Sequence, residues 1–240
     1  MTLLHSARLL ARRIGIEVTR YNPAYSLSAR TAKLLAHHNI DAVLDVGAND
    51  GGYGKFIRST GFNGNIISFE PQAEAYKNLL IASHADPAWY VAPRMALGDI
   101  ESELEINVAA NSASSSLLKM LPSHIEAAPQ SQYINKEKVA VHRLDAVDHL
   151  AINDACRIYL KIDTQGYEMP VLLGAAGIME KTVGIQLEMS VIPLYEGQAL
   201  YQELLNWLAH AGFEMWRVEP GFMNQVTGRM LQFDAIFFRK

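Results

Sequence analysis

Short apolar runs recur along the chain and alternate with stretches of helical periodicity. The runs are rich in β-branched residues and are bounded by turn signals, which is typical of buried parallel strands. They cover residues 43–46, 66–69, 89–91 with a continuation to 97, 157–162 and 183–187. Helical patterns cover 28–38, 53–58, 72–84 and 198–210, and another follows Glu168. This alternation predicts an α/β fold with a mostly parallel sheet.

Four further patterns modify this outline. Residues 103–108 alternate and predict an added edge strand, and 139–145 predict a strand followed by a capped helix from Asp145 through Leu150. Residues 109–138 are the least regular part of the chain. The runs 213–218 and 232–238 flank turn signals and predict a closing antiparallel hairpin whose last strand is reversed.

The N-terminal segment has its own pattern. Leu3, Leu4, Ala7, Leu10, Ala11 and Ile14 recur at helical spacing, with arginines elsewhere on the helix. We interpret residues 1–38 as a helical extension of a domain at 39–240. The first helix either packs on that domain or at a homodimer contact, or it binds anionic lipid at a membrane surface, as basic amphipathic helices do.

Composition narrows the class of protein. With 240 residues and 50% hydrophobic residues, one α/β domain of ordinary size is expected. A net charge of −4 gives no overall basic footprint, which disfavours nucleic acid as a partner. The lone Cys156 excludes an internal disulfide and fits a reducing, cytoplasmic setting. The eight histidines form no metal-ligand pattern.

The turn after the first strand is the best candidate for a ligand site. The sequence Asp45-Val46-Gly47-Ala48-Asn49-Asp50-Gly51 joins a strand to a helix, which places free backbone N–H groups and the positive end of the helix dipole at the sheet edge. Its glycines do not match the G-x-G-x-x-G pattern of dinucleotide sites. Glu70 lies 23 residues after Gly47 and ends the second strand. A carboxylate at that position can accept hydrogen bonds from both hydroxyls of a ribose.

Acids at both strand ends would repel a diphosphate, but they suit a nucleoside that carries a sulfonium and an ammonium. The pattern therefore favours S-adenosylmethionine over NAD as the cofactor. Asp45, Gly47, Asn49, Gly51, Glu70 and Pro71 are the predicted cofactor-binding residues on these two turns.

Three motifs resemble the FkbM family of S-adenosylmethionine-dependent methyltransferases. They are Val43-Leu44-Asp45-Val46-Gly47-Ala48-Asn49-Asp50-Gly51, Ser68-Phe69-Glu70-Pro71 and Lys161-Ile162-Asp163-Thr164-Gln165-Gly166-Tyr167-Glu168. The resemblance runs from about residue 40 to the end of the chain. It implies a Rossmann-like class I methyltransferase sheet, in which a closing antiparallel hairpin is usual. It also implies O-methylation of a sugar, glycolipid or polyketide-like acceptor.

Two regions then gain candidate roles. In the family pattern Asp99 ends the third strand, where it either accepts the adenine amino group or only caps a turn. Serine-rich stretches similar to residues 111–116 follow the extra strand in the family. Ser114 and Ser115 are therefore candidates to close over the cofactor or contact the acceptor, with a solvated loop as the alternative.

The transfer chemistry needs a group that removes a hydroxyl proton. Asp163 follows the fourth parallel strand and Glu188 the fifth, so we predict Asp163 as the first candidate base and Glu188 as the second. His142, in mid-strand, is a weaker candidate. Two carboxylates do not specify a metal site, and no metal is predicted, although a divalent ion held with added waters stays open.

The segment 192–197 follows Glu188 and places Tyr195 where acceptor recognition is expected.

Two alternatives to a methyltransferase stay open: a non-catalytic S-adenosylmethionine-binding protein and an NAD-dependent oxidoreductase. The expected substrate is a small-molecule or glycan acceptor.

Overall fold

The computed structural model describes residues 3–16, 21–147 and 156–240. Its α-helices are α1 (Leu3–Arg13), α2 (Leu27–His37), α3 (Gly52–Ser59), α4 (Ala73–Ser83), α5 (Pro122–Ala127), α6 (Glu168–Gly174) and α7 (Tyr201–His210). Its strands are β1 (Ala42–Val46), β2 (Asn65–Phe69), β3 (Trp89–Val91), β4 (Ala96–Leu97), β5 (Ser102–Ala109), β6 (Tyr133–His142), β7 (Ile158–Ile162), β8 (Thr182–Ser190), β9 (Phe213–Pro220) and β10 (Gln232–Arg239).

Seven strands form the central sheet, in the order β3-β2-β1-β7-β8-β10-β9. Each pair from β3 to β8 is parallel, and β10 runs antiparallel to both β8 and β9. The predicted mostly parallel sheet with a reversed last strand is therefore confirmed. Because β1 pairs with both β2 and β7, the loops that follow these three strands meet at one edge of the sheet.

A second sheet of three strands, in the order β4-β6-β5, corrects two expectations. Residues 95–97 do not continue β3, because Pro93 cannot donate to the strand ladder and β4 pairs with β6 instead. Likewise, β5 is not added to the edge of the main sheet, since it pairs along its length with β6, which begins at Tyr133, well before the predicted position 139. This small sheet forms a wall beside the end of β2.

Two apolar clusters cover the two faces of the central sheet. One contains Val171 and Leu172 of α6 and Leu204 and Leu208 of α7. The other contains Leu35 of α2, Ile57 of α3 and Leu79 of α4. Every residue of β1 and β7 is buried between these layers, as the continuous apolar runs predict.

The remaining segments agree with the sequence in part. The predicted first helix is confirmed over α1, while residues 1–2 and 17–20 lie outside the described ranges. The predicted helix from Asp145 begins as a short 3₁₀ turn over Leu144–Ala146, and residues 148–155 lie outside the described ranges. No helix within the described ranges is long and apolar enough to cross a membrane.

Candidate active site

The turn from β1 to α3 requires glycine at its first position. Gly47 has a φ of +76°, and a Cβ there would overlap the carbonyl oxygen of Asp163. The turn is also fixed to β2, because Gly47 N and Ala48 N both donate to the carbonyl of Phe69, at 3.1 and 3.0 Å. Gly51 has a φ of +85° and lies just before α3. The turn is thereby held close to the ends of both neighbouring strands.

Glu70 connects this turn to the end of β2. Its Oε2 accepts from Asn49 N at 2.7 Å, and its Oε1 accepts from Gln72 N at 2.8 Å. Burial raises the pKa of Glu70 to about 7, in spite of these two hydrogen bonds and the nearby Lys161. Each carboxylate oxygen keeps a second lone pair that can accept a ligand hydroxyl.

The serine-rich loop forms the opposite side of the site. Ser115 Oγ accepts from Gln72 Nε2 at 2.9 Å, and Ser116 Oγ donates to the carbonyl of Gln165 at 2.7 Å. Ser114 lies behind the loop, where its Oγ bonds to Ser131 Oγ at 3.1 Å. The loop thus joins the β2 side of the site to the β7 side, and the alternative of a solvated loop does not hold for Ser114–Ser116.

These segments enclose a cavity of about 690 Å³, including space that is open to solvent. Apolar side chains of β4, β5 and the end of β2 form one wall, and Asn49, Glu70 and Asp163 supply polar groups. The full lining consists of Val46, Gly47, Asn49, Phe69, Glu70, Pro71, Met95, Ala96, Leu97, Ile106, Ser112, Ala113, Ser115, Ser116, Leu117, Asp163, Thr164, Gln165 and Tyr167. Its mixed apolar and polar lining is typical of a small-molecule site.

A glutamine amide links the two predicted catalytic carboxylates. Gln165 Nε2 donates to Asp163 Oδ1 at 2.9 Å and to Glu188 Oε2 at 2.7 Å. Tyr195 OH donates to Gln165 Oε1 at 2.8 Å, and Gln232 Nε2 donates to Glu188 at 2.7 Å. Gln165 has a φ of +53°, a strained conformation for a residue with a side chain. Asp163 faces the cavity from one side of this network, and Glu188 lies on the other.

The environments of these two carboxylates differ. The side chain of Asp163 is 34% exposed and lies 3.5 Å from Lys161 Nζ. Burial raises the pKa of Glu188 well above its ordinary value, and the charges of Asp163 and Glu168 add to that shift. Glu188 therefore holds a proton more readily than an ordinary glutamate does.

Beneath the glycine turn lies a buried ion pair. Lys161 Nζ is 3.2 Å from Asp45 Oδ1, and their side chains are 6% and 0% exposed. Burial lowers the pKa of Lys161, but Asp45 and Asp163 more than offset that effect and raise it. Neither oxygen of Asp45 accepts a hydrogen bond of good geometry from the described residues. Lys161 Nζ also donates to the carbonyl of Gly47 at 3.3 Å, so the ion pair supports the turn from below.

The sequence-predicted residues fall into two sets. The structure brings to the cavity Gly47, Asn49, Glu70, Pro71, Ser115 and Asp163. The cavity lining does not include Asp45, Gly51, Asp99, Ser114, Glu188 or Tyr195. Asp99 lies past β4, where its carbonyl accepts from Arg143 Nη1 at 2.8 Å. His142 also lies away from the cavity, with Nδ1 2.6 Å from Glu101 Oε2.

Sequence reasoning missed Lys161, Gln165 and Gln232 as parts of this site. One signal was present for Lys161, since a lysine within an otherwise apolar buried strand needs a buried counter-charge. Gln165 and Gln232 gave no such signal, because their partners come together only when β7, β8 and β10 pair.

The cavity fits a cationic nucleoside. None of the described residues that line it is Lys or Arg, whereas Glu70 and Asp163 both contribute carboxyl groups. Asn49 Oδ1 is buried and accepts no hydrogen bond from the described residues, so a ligand donor could satisfy it. The described ranges contain no group of three His, Cys, Asp or Glu side chains arranged to hold a metal ion.

The strand order and a site at the carboxyl edge define the class I methyltransferase fold. The Methyltransferase FkbM domain model matches residues 45–215, which is most of the chain. The chain therefore belongs to the FkbM family of S-adenosylmethionine-dependent methyltransferases. No curated protein sequence matches it.

Several solved structures resemble the fold at low identity. Magnesium protoporphyrin IX methyltransferase from Synechocystis, solved with bound S-adenosylmethionine, is 8% identical with a TM-score of 0.47, over 99% of this chain and 92% of that one. A TehB-like methyltransferase from Corynebacterium glutamicum is 12% identical with a TM-score of 0.44, over 99% and 97%. An rRNA methylase from Streptococcus thermophilus is 9% identical with a TM-score of 0.46, over 92% and 99%. At these values none of the three identifies an acceptor for this chain.

Proposed function

We propose that this chain is an O-methyltransferase that acts on a hydroxyl of a sugar, glycolipid or polyketide-like acceptor. The observation that carries the proposal is the position of Asp163, a carboxylate that is open to the cavity, next to the glycine turn, and held in place by Gln165 and Lys161. A hydroxyl is barely acidic, so its methylation needs such an acceptor for its proton.

The residues that would hold the cofactor are those of the first two turns. Glu70 has lone pairs for two ribose hydroxyls, and Asn49 Oδ1 is an unsatisfied acceptor. Pro71, Ala96 and Leu97 supply an apolar surface of the kind that an adenine ring needs. When bound, S-adenosylmethionine supplies a methyl group that is already activated by the positive sulfonium.

Asp163 would act as general base. Its carboxylate would accept the hydroxyl proton as the oxygen becomes nucleophilic, a contribution of typically ~10²–10⁴-fold to the rate. Gln165 fixes the orientation of the Oδ1 side, and Lys161 Nζ lies on the Oδ2 side. A base that is held in this way needs no reorganisation as the proton moves.

Glu188, the second candidate base, is better suited to a positioning role. It lies behind Gln165 and outside the cavity lining, and its raised pKa favours the protonated form. Tyr195 donates to the side chain of Gln165, and Gln232 donates to Glu188. On the acceptor side, Ser115 is the candidate that lines the cavity, while Ser114 and Tyr195 support the loop from behind.

The test is methylation of fractionated glycans, glycolipids and polyketide-like alcohols with isotope-labelled cofactor, followed by mass spectrometry of the product. Asp163→Asn should bind the cofactor with near wild-type affinity in calorimetry and lose at least ~10²-fold in turnover. Glu74→Gln, at an exposed carboxylate of α4, is the matched control and should change neither quantity.

Two outcomes would contradict the proposal. One is transfer of label to nitrogen, carbon or sulfur only. The other is full turnover by Asp163→Asn with an alcohol acceptor, since another group would then remove the proton. Cofactor binding without transfer to any acceptor would favour the non-catalytic alternative.

A further inference from the structure

Positive charge is concentrated at the beginning of the chain. Residues 1–38 contain six Lys and Arg against one Glu, a net charge of +5. The whole chain has 21 basic and 25 acidic residues, so residues 39–240 contain 15 and 24, a net charge of −9. Such segregation of charge within one chain is typical of proteins that bind a polyanionic surface through the basic part.

The helix α1 combines this charge with exposed apolar side chains. Leu10 is 65% exposed, Ile14 is 71% exposed and Ile16 is 52% exposed. Leu10 lies in the last turn of α1, and Ile14 and Ile16 lie in the turn that follows the helix. Arg8 and Arg13 are exposed on the same helix. The side chains of Leu10, Ile14 and Ile16 are thus not buried against the described part of the domain.

The residues after α1 also expose large apolar and aromatic side chains. Tyr21 is 71% exposed, Tyr25 is 79% exposed and Leu27, at the start of α2, is 45% exposed. A tyrosine ring with a polar hydroxyl suits the boundary between lipid headgroups and acyl chains. The segment therefore offers both parts of an interfacial anchor, basic groups and amphipathic rings.

A groove between α2 and β9 adds further basic groups. It is lined in part by Lys33, Arg30, Arg217 and the half-exposed Trp216. Arg30 Nη2 and Arg217 Nε lie 2.7 and 3.0 Å from the same oxygen of Glu219. One carboxylate is therefore paired with two guanidinium groups. The side chain of Arg217 is only 10% exposed, so Lys33 and the 31% exposed Arg30 are the basic groups that reach the surface of the groove.

We propose that residues 3–16 and 21–37, together with the groove that α2 forms with β9, bind the surface of an anionic membrane. A bilayer supplies both kinds of contact, anionic headgroups for the exposed Arg8 and Arg13 and an apolar layer for Leu10 and Ile14. A symmetric contact between the N-terminal segments of two copies fits less well, because two segments of charge +5 would repel each other. The proposal concerns where the protein acts, and it stands apart from the choice of acceptor.

The experiment is co-sedimentation of the full chain with phosphatidylcholine vesicles that contain or lack phosphatidylglycerol. We expect binding only to the anionic vesicles, with loss at high salt because surface charges are screened. The double variants Leu10→Ser/Ile14→Ser and Arg8→Gln/Arg13→Gln should each bind at least about tenfold more weakly. Ile81→Ser, 75% exposed on α4, and Lys136→Gln/Lys138→Gln, exposed on β6, are the matched controls and should bind as wild type.

Equal binding to neutral vesicles, sedimentation with neither vesicle, or normal binding by both N-terminal variants would overturn the proposal. Binding to an RNA duplex in place of vesicles would assign the surface to nucleic acid. Salt-resistant dimers that are lost in Leu10→Ser/Ile14→Ser would assign it to a second copy. Calorimetry with S-adenosylmethionine on each variant, expected to be unchanged, reports folding and keeps this result separate from that of the proposed function.

Discussion

At the scale of single residues, the protonation state of Glu70 should control cofactor affinity. The pKa of this buried carboxyl is about 7, and its ionised form is the better acceptor for ribose hydroxyls. Affinity should therefore fall as the pH decreases through 7, by up to about tenfold per unit for a single proton. Calorimetry with S-adenosylmethionine between pH 5.5 and 8.5, values that bracket the pKa of about 7, measures this directly.

The Glu70→Gln variant tests the assignment of that pH dependence. It should bind the cofactor at least about tenfold more weakly above pH 7, because one charged acceptor is lost, and its affinity should no longer vary with pH. Glu74→Gln, on the exposed side of α4, should keep the wild-type profile. An unchanged pH profile in Glu70→Gln would place the titrating group elsewhere.

The buried pair of Lys161 and Asp45 should affect stability more than its distance alone suggests. Lys161→Met leaves Asp45 fully buried without a counter-charge, which should cost about 3–5 kcal/mol of unfolding free energy. The double variant Asp45→Leu/Lys161→Met should recover much of that loss, because both desolvation penalties disappear together. Urea denaturation followed by circular dichroism measures each step.

An exposed ion pair of equal length provides the control. Lys138 Nζ lies 3.2 Å from Glu103 Oε1, but both side chains are well exposed. Lys138→Met should change stability by less than about 1 kcal/mol. Equal losses in Lys161→Met and Lys138→Met would show that burial is not what makes the pair at the active site important.

At the scale of elements, the turn between β1 and α3 depends on Gly47 for two separate reasons, a left-handed φ and a close approach to β7. Gly47→Ala should lose more than about 3 kcal/mol or fail to fold, because strain and overlap add together. Gly61 is the control for the left-handed φ alone. Its φ is +88°, and the space where a Cβ would lie is open. Gly61→Ala should cost only about 1–2 kcal/mol.

Denaturation midpoints and soluble yield of the two variants give the comparison. Similar losses in both would mean that the left-handed conformation accounts for the whole effect and that β7 moves to accept a side chain at position 47.

The turn between β7 and α6 contains the strained Gln165, whose amide positions Asp163. Gln165→Ala should reduce turnover at least tenfold with little change in cofactor affinity, because the oriented Oδ1 contact is lost while the cavity keeps its lining. Gln225→Ala, exposed between β9 and β10, is the matched control.

At the scale of the whole molecule, the cofactor choice can be tested by stability. A ligand at 100 times its dissociation constant stabilises the folded state by about 2.7 kcal/mol, which raises the Tm of a chain of this size by roughly 5–10 °C. We expect such a shift with S-adenosylmethionine and none with NADH. The reverse result would favour the alternative of an NAD-dependent oxidoreductase over a methyltransferase.

The sequence by itself determined the main sheet and the two turns that line the cavity. Buried parallel strands appear as continuous apolar runs, and the residues after them are necessarily neighbours at one edge, so Gly47, Asn49, Glu70 and Asp163 could be placed together without coordinates. The reversed last strand could also be predicted, because local turn signals indicate a hairpin.

Only the tertiary structure decided which residues face the cavity and how the carboxylates differ. Residues 95–109 looked like strands of the main sheet, but long-range pairing with β6 placed them in a second one. Asp45 and Asp163 are both aspartates that accompany an apolar strand run. Asp45 is buried against Lys161, whereas Asp163 is open to the cavity. Burial and charge–charge distance arise from contacts between segments far apart in the chain, and local periodicity does not encode them.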